Sequence, residues 1–498
     1  MKSVAAERSR NKILTVSNRG PVEFDRDAKG NVVAVPGRGG LSTALYAAAQ
    51  ARIAPMVWLS SPLTPVDREF AESECDNGSI ELEAGTARFV VTDPAAYDLF
   101  YGTFANQVLW FLQHDVPWPD DLSPERRLEA WQDGYQTVNR TFADAVVREL
   151  DSAQFRAVMF HDYLFYTAPA MVRAARPEAY LQHFLHIPWP KPSVWSRLEP
   201  ELLRGICEGL LANDSVVFQT PDDARNFLLT VGSILPFADI DLVKGTATYE
   251  GRTSRAWANP ISVDPHELEA AAASPEFARY RYLLRGDPHQ KTIVRVDRLD
   301  LTKNVYRGFE AYQRLLETHP ELHGKVYFLA LLVPTKTDIP AYQRYQDDTR
   351  SLAEAINKRF GNMHWKPVRI LFEHNRIQAL AAMSLYDVLL VNPLADGMNL
   401  VAKEAPFLNR QGGVLVLSKK AGAYAELADG SIGIDPEDVE ETAAALYQAL
   451  QMEPIERYRR WSRVRDAIRR HDLRDWFRTF VQDIETNAPV ADTSAALS

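Results

Sequence analysis

Short apolar runs alternate with longer stretches of helical periodicity along most of the chain. Residues 12–17 (KILTVS), 56–59, 157–160 and 215–218 are continuous apolar or near-apolar runs. Runs of that length, bounded by turn residues, are the pattern of strands buried on both faces. Between them, residues 124–150 repeat apolar positions at intervals of three and four, which predicts a helix, and an alanine-rich helical stretch covers 42–51. The second half repeats the style. Strands are expected at 291–296, 326–332, 368–371, 388–391 and 413–417, with helices at 342–359 and 375–383. Strands alternating with helices predict an α/β class built on largely parallel sheets. Residues 231–290 carry Pro236, Pro260, Pro265 and Pro288 with irregular polarity, which places the break between two α/β halves near 260–290. Two such halves side by side leave a cleft, and strand C-termini facing it are natural ligand positions.

A chain of 498 residues exceeds one ordinary core and fits that division. Subtracting 66 acidic from 56 basic residues gives −10, which argues against bulk nucleic-acid binding and leaves room for a local basic pocket. Cys75 and Cys207 are the only cysteines and lack CxxC spacing, so neither a disulfide framework nor a cysteine zinc site organises the fold. No apolar run reaches membrane-spanning length and the N-terminal segment lacks a secretory core, so the expected location is cytoplasmic.

Five clusters could carry chemistry. Ser17-Asn18-Arg19-Gly20-Pro21 follows the first strand, where an arginine can grip a phosphate with paired hydrogen bonds. Gly37-Arg38-Gly39-Gly40 precedes a helix and lets backbone approach an anion, without being a GxGxxG or Walker loop. His161-Asp162-Tyr163 and His186-Ile187-Pro188-Trp189-Pro190 each follow an apolar run and could meet sugar hydroxyls; a helix-capping His–Asp pair explains them equally well. Arg298 and Lys303 follow a strand as cations suited to a leaving diphosphate. Last, Asp396-Gly397-Met398-Asn399-Leu400-Val401 leads through Lys403 to Glu404; a helix expected from Met398 onward would place Glu404 about two turns in.

Taken together, SNRGP, GGL, HDY, HIPWP, RLDLTKN and DGMNLVAKE resemble the trehalose-6-phosphate synthase family, retaining sugar-nucleotide glycosyltransferases of family 20, over nearly the whole chain. The resemblance implies the GT-B fold, two Rossmann-like domains facing across a deep cleft. It implies an acceptor-binding domain at 1–265, a nucleotide-sugar donor domain at 266–470, and a C-terminal helix and tail at 471–498 crossing back to the first. Carried onto this chain, it assigns the donor diphosphate to Arg298 and Lys303 and the donor sugar to Asp396. His186 stands beside the transferring glucosyl group, completing the catalytic set. Donor contacts extend to Gly397, Met398, Asn399, Leu400 and Val401, to Glu404 at the ribose, and to the closing loop at Gly39 and Gly40. Arg19, Tyr101, Trp110, Asp162 and Lys336 fall on the acceptor side. The implied partners are a nucleotide-glucose donor (UDP- or GDP-glucose) and glucose 6-phosphate as acceptor, with no metal or other cofactor, no nucleic acid and no membrane; self-association is left open.

Five positions depart from the family pattern. Lys336 stands where an arginine is usual, Leu164-Phe165 follows HDY, Asn304 follows the lysine where glycine is common, and Ser262 replaces glycine. Lys336 keeps the charge and loses the bidentate geometry. The alternatives are therefore a related transferase using another phosphorylated acceptor, such as glycerol 3-phosphate or a cyclitol phosphate, and a catalytically silent homologue. Against the last, the charged positions named above are all retained.

Overall fold

A computed structural model describes residues 12–37 apart from 28, then 54–73, 79–82, 85–119, 122–337, 339–372 and 375–488. They form two compact units. One runs to Pro260 and resumes at Leu473; the other is Ile261–Asp472.

The first unit is built on β1 (Ile13–Val16), β2 (Val22–Arg26), β3 (Val32–Pro36), β4 (Met56–Ser60), β5 (Ser79–Leu82), β6 (Gly85–Phe89), β7 (Ala157–His161), β8 (Leu181–Phe184), β9 (Ser215–Phe218), β10 (Asp239–Asp241), β11 (Thr246–Tyr249) and β12 (Arg252–Ala258). Ten of them form one sheet in the order β10-β11-β12-β9-β8-β7-β1-β4-β6-β5, while β2 and β3 make a separate hairpin. From β12 to β6 every neighbour is parallel, and only the edges reverse. Chain order runs outward in one direction from β1 through β4 and β6, and in the other from β7 through β8 and β9. The sheet therefore changes direction between β1 and β7, and a ligand crevice belongs beyond the strand ends at such a point. Ile13, Leu14 and Val16 are all buried, which explains why β1 reads as an unbroken apolar run.

The helix Leu473–Asn487 completes this unit. Its buried positions Leu473, Trp476, Phe477, Phe480 and Ile484 lie along one helical face. Trp476 and Phe480 each set their rings 5.3 Å from Phe184. The Trp476 indole donates to the Asn259 carbonyl at 3.2 Å, and the Asn259 amide donates back to the Trp476 carbonyl at 3.0 Å.

The second unit has β13 (Lys291–Leu299), β14 (Val326–Pro334), β15 (Val368–Leu371), β16 (Val388–Val391), β17 (Val414–Ser418) and β18 (Ile432–Ile434). They form an all-parallel sheet in the order β15-β14-β13-β16-β17-β18, which is the doubly wound dinucleotide-fold order with its switch between β13 and β16. Ile293, Phe328, Leu390 and Val416 from the strands pack with Phe309, Tyr312 and Leu446 from flanking helices in one buried core.

Two expectations need correction. The helix expected over 124–150 is Pro124–Glu129 and Thr137–Ser152 joined by a wider π-helical stretch, Ala130–Gln136. A second π-helical run, Asp98–Leu109, lies against it, where a Cβ on Gly134 would sit 2.6 Å from the Leu99 side chain and the Phe100 amide. Residues 231–290 are not irregular: they hold the β10–β12 ladder and the helices Pro265–Ala272 and Pro275–Leu284, capped by Asp264 and Ser274 with proline in the first turn. The stretch 42–51 lies outside the described residues. Among the described residues no helix is long and apolar enough to cross a membrane.

Candidate active site

In the second unit, the switch between β13 and β16 gathers the donor-side residues. Arg298 is exposed near the end of β13. Asp300 then accepts from the Thr302 amide and hydroxyl, both at 3.0 Å, and so folds the short turn Leu301–Lys303. This turn sends the Lys303 ammonium onto Asp396, which follows β16; the Asn399 amide donates to the same carboxylate oxygen at 3.0 Å. Beneath lies Arg295, fully buried, ion-paired with Asp297 at 3.0 Å and donating to the Asn392 side chain and the Lys303 carbonyl. One cation thus ties the ends of β13 and β16 to the Lys303 turn. Burial pushes the Asp297 carboxyl up against the opposing pull of Arg295 and Lys303.

Asn304 adopts φ 59° and ψ 40°, a left-handed conformation that explains why glycine would also suit this position. Its side chain donates to the Asn392 carbonyl at 3.1 Å and the Pro436 carbonyl at 2.7 Å, contacts that glycine could not make.

The segment after β16 corrects the expectation that a helix starts near Met398. Asn399 has φ 73° and stops helical winding there, so the helix is Val401–Leu408 and Glu404 falls in its first turn rather than two turns in. The preceding turn is pinned to the chain after β17: Gly422 donates to the Asp396 carbonyl at 3.0 Å and Ala423 to the Met398 carbonyl at 2.9 Å. A Cβ on Gly422 would lie 1.8 Å from the Gly397 carbonyl oxygen, so the backbones approach too closely for any side chain. Glu404 is 8% exposed and accepts from Arg376 at 3.2 Å; Arg376 also pairs with Glu267 at 2.9 Å. Burial pushes the Glu404 carboxyl up, and Arg376 opposes the shift. Lys403 is buried on the other side of the helix start, donating to the Ile261 carbonyl at 2.8 Å and paired with Glu426 at 2.5 Å. Lys336 follows β14, the neighbour of β13, at φ 49°, with its ammonium 3.2 Å from the Tyr342 hydroxyl and 3.9 Å from Asp300.

In the first unit, the switch between β1 and β7 gathers most of the acceptor-side residues. Arg19 follows β1, half-exposed and paired with Glu23 at 3.1 Å. Asn18 accepts from the Ser61 hydroxyl at 2.8 Å and the Tyr97 hydroxyl at 3.1 Å, and the Tyr97 ring stacks on Tyr101. Tyr101 lies on the π-helical run Asp98–Leu109, and Trp110 opens the α-helical turn Trp110–Gln113 that follows it. Trp110 packs against Tyr163 at 5.8 Å, and the Tyr163 hydroxyl donates to Asn106 at 3.2 Å.

Asp162 follows β7 with φ 71° and ψ 179°, a region close to glycine-only and a mark of stored backbone strain. Its amide donates to the Phe184 carbonyl at 2.7 Å, and its carboxylate accepts from the His186 amide at 3.3 Å. The His186 ring lies 3.4 Å from His161, nitrogen to nitrogen. Burial lifts Asp162 to about 7 and pulls His186 down to about 3 and His183 to about 4. His186 is therefore a neutral imidazole at neutral pH, a hydrogen-bonding group and not a cation.

The folding of each unit thus brings Asp162 to His186, and Lys303 and Asn399 to Asp396, while Tyr101 and Trp110 keep separate partners in Tyr97 and Tyr163. Lys336 belongs to the other unit from Arg19, Tyr101, Trp110 and Asp162. Gly39 and Gly40 lie outside the described residues. Three supporting residues carry no role in the sequence reading: Arg295, Arg376 and Lys403. Only Arg295 left a signal, a charge set between the apolar Ile293-Val294 and Val296, where an unpaired side chain is rarely buried.

Two Rossmann-like units with cationic and carboxylate groups at their switch points define a glycosyltransferase of the GT-B class. Residues 11–486 match the family described as Glycosyltransferase family 20, and the chain belongs to that family. It is 34% identical to trehalose-6-phosphate synthase of Klebsiella pneumoniae over 407 residues, 80% of this chain and 82% of that one. A solved E. coli trehalose-6-phosphate structure bound with UDP-2-fluoro glucose superposes at a TM-score of 0.80 and 30% identity, covering 96% of this chain and 100% of that one. A Burkholderia xenovorans alpha,alpha-trehalose-phosphate synthase (UDP-forming) in complex with glucose-6-phosphate gives 0.79 and 28%, covering 95% and 100%.

Proposed function

We propose that this enzyme transfers glucose, with retention, from a nucleotide-glucose to glucose 6-phosphate, giving trehalose 6-phosphate and a nucleoside diphosphate. The observation that carries the reading is the β13–β16 switch, where Lys303, Asp396 and Asn399 are joined just beyond the strand whose end carries Arg298. In this reading Arg298 and Lys303 neutralise the departing diphosphate, and Asp396 and the Gly397–Val401 turn hold the donor sugar and phosphates. Glu404 accepts from the ribose hydroxyls. Neutral His186 hydrogen-bonds the glucosyl group, and Asp162 orients the acceptor. Arg19 and Lys336 meet the acceptor phosphate, with Tyr101 and Trp110 beside it. The diphosphate leaves from the face on which the acceptor hydroxyl attacks, and its oxygen takes the hydroxyl proton. Orientation and fixed charge then supply the catalysis without a metal. UDP-glucose is the preferred donor in this proposal, in keeping with the relatives' UDP ligand and UDP-forming names.

A matrix of UDP- and GDP-glucose against glucose 6-phosphate, glucose, glycerol 3-phosphate and a cyclitol phosphate tests the reading by product mass. Glucose 6-phosphate should win among acceptors, with activity unchanged by EDTA, and unphosphorylated glucose should be far poorer because the phosphate-binding charges stay unpaired. Lys336 in place of arginine keeps a second outcome open: another phosphorylated acceptor winning would reassign the acceptor and leave glycosyl transfer intact.

A further inference from the structure

The helix Val401–Leu408 presents Glu404 near one end and reaches a separate cavity at the other. That cavity, of about 340 Å³, has an apolar floor of Phe277, Phe407 and Leu408. Arg281, Arg410 and Arg465 line it against a single carboxylate, Glu269. None of the residues assigned to donor or acceptor takes part. The whole cavity belongs to the unit Ile261–Asp472.

Its charge is concentrated. The helix Pro454–Arg470 carries seven arginines against Glu456 and Asp466, in a chain whose net charge is −10. Several of these arginines hold the fold: Arg457 pairs with Asp387 at 3.1 Å, and Arg460 pairs with Glu456 at 2.9 Å. Arg465 differs. Its guanidinium lies 4.6 Å from the Trp461 ring centre and 5.2 Å from that of Phe407, and its buried Nε has no hydrogen-bond partner. Arg469 adds a further cation 5.8 Å from Phe407. Burial chiefly, with the neighbouring Arg469 and Arg410, pulls the Arg465 guanidinium down against Asp466 and Glu269. A buried polar atom without a partner and arginines in excess of carboxylates are satisfied together by an anion. An aromatic floor in a cavity of this size favours a ligand with an apolar body.

We propose that this cavity is a second ligand site, binding a small organic anion whose phosphate or carboxylate meets Arg281, Arg410 and Arg465 while its apolar part rests on Phe277 and Phe407. The site stands apart from the glycosyl-transfer reading and does not depend on it.

Titration calorimetry on the full chain with phenyl phosphate, benzoate, inorganic phosphate and benzyl alcohol tests it. One of the two aromatic anions should bind at least about ten-fold more tightly than either inorganic phosphate or benzyl alcohol. Preference for phenyl phosphate identifies a phosphate head, and preference for benzoate a carboxylate. Arg281→Gln and Arg465→Gln should each weaken that binding about ten-fold or more, while Arg298→Ala leaves it unchanged. Arg281 is exposed at a helix end, so its variant keeps the fold even if Arg465→Gln loosens the packing on Trp461. Absence of saturable binding by both aromatic anions, or an affinity that follows Arg298 rather than Arg281, overturns the proposal.

Discussion

At the scale of single residues, the two candidate clusters use burial in opposite ways. Around Lys303 and Asp396, charges are kept by being paired, and Arg295 beneath them is the fixed point. Arg298→Ala and Lys303→Ala should each lower kcat about 100- to 1,000-fold, the usual cost of removing one group that stabilises developing charge. Lys303→Ala also removes the cation paired with Asp396, so its effect should be the larger of the two; single-turnover rates with saturating donor measure both. Around Asp162, the carboxylate is buried without a cation among the causes of its shift, and its value rises from 3.8 to about 7. The folded protein then holds a proton between those values that the unfolded chain has released, so this group's contribution to stability falls as pH rises from about 4 to about 7. His186, held near 3, gives the opposite slope between about 3 and 6.5. Asp162→Asn removes only the first slope. The variant's melting temperature relative to the native protein should therefore climb from pH 5 to pH 8, while its acceptor KM rises. A difference independent of pH would mean that Asp162 is ionised throughout.

At the scale of elements, positions that look unconventional in the sequence become intelligible as backbone requirements. Asn304 and Asn399 are both left-handed, and both close a turn with their own side chains. Asn304→Gly should therefore keep the turn's conformation and cost only the side chain's three hydrogen bonds, two donated to the Asn392 and Pro436 carbonyls and one accepted from Arg307, about 1–3 kcal/mol of stability by chemical denaturation. Gly422→Ala should act differently: its Cβ would collide with the Gly397 carbonyl, displace the donor-side turn and lower kcat more than it lowers the melting temperature. The inner parallel strands were legible because they are buried on both faces and read as plain apolar runs, with 215–218 and 388–391 matching to the residue. The start of the 401 helix was not, because a left-handed asparagine in Met398-Asn399-Leu400 leaves no mark in hydrophobic periodicity. The π-helical runs were illegible for a related reason. Their wider turn breaks the 3.6-residue spacing on which a helix is recognised, and the Asn106 and Gln107 amides that satisfy the Tyr101 and Gly102 carbonyls look like ordinary polar residues. Arg376 and Lys403 were missed because their partners lie far off in sequence, at Glu267 and Glu426.

At the scale of the whole molecule, the chain ends by returning to the unit in which it began, and that return is an integral part of the first unit's core. The helix Leu473–Asn487 covers Phe184 with Trp476 and Phe480, both fully buried. It also brings a buried carboxylate to the start of β8, inside the sheet: Asp483 accepts from Tyr180 at 3.1 Å and Gln182 at 2.7 Å and pairs with Arg255. Phe184 and Tyr180 bracket the strand that leads to His186, so the helix supports a candidate catalytic position from behind. Truncation after Asp472 would uncover Phe184 and Trp257 and leave the Asn259 and Gln182 side chains without partners. Each large aromatic lost from such a core costs about 3–5 kcal/mol, and the helix contributes several. The truncated chain should therefore fail to give a cooperative melting transition for the first unit. A milder change separates support from mere bulk. Trp476→Phe keeps an apolar ring and the backbone carbonyl that accepts from Asn259, and loses only the indole hydrogen bond to the Asn259 carbonyl; it should lower the melting temperature by a few degrees with kcat nearly retained. Asp483→Ala strands Arg255 and Gln182 beside the strand of His186 and should lower kcat as well as stability, read from melting curves and turnover on the same preparations. Full activity in a truncated protein would show that the first unit holds its acceptor-side strands without the returning helix.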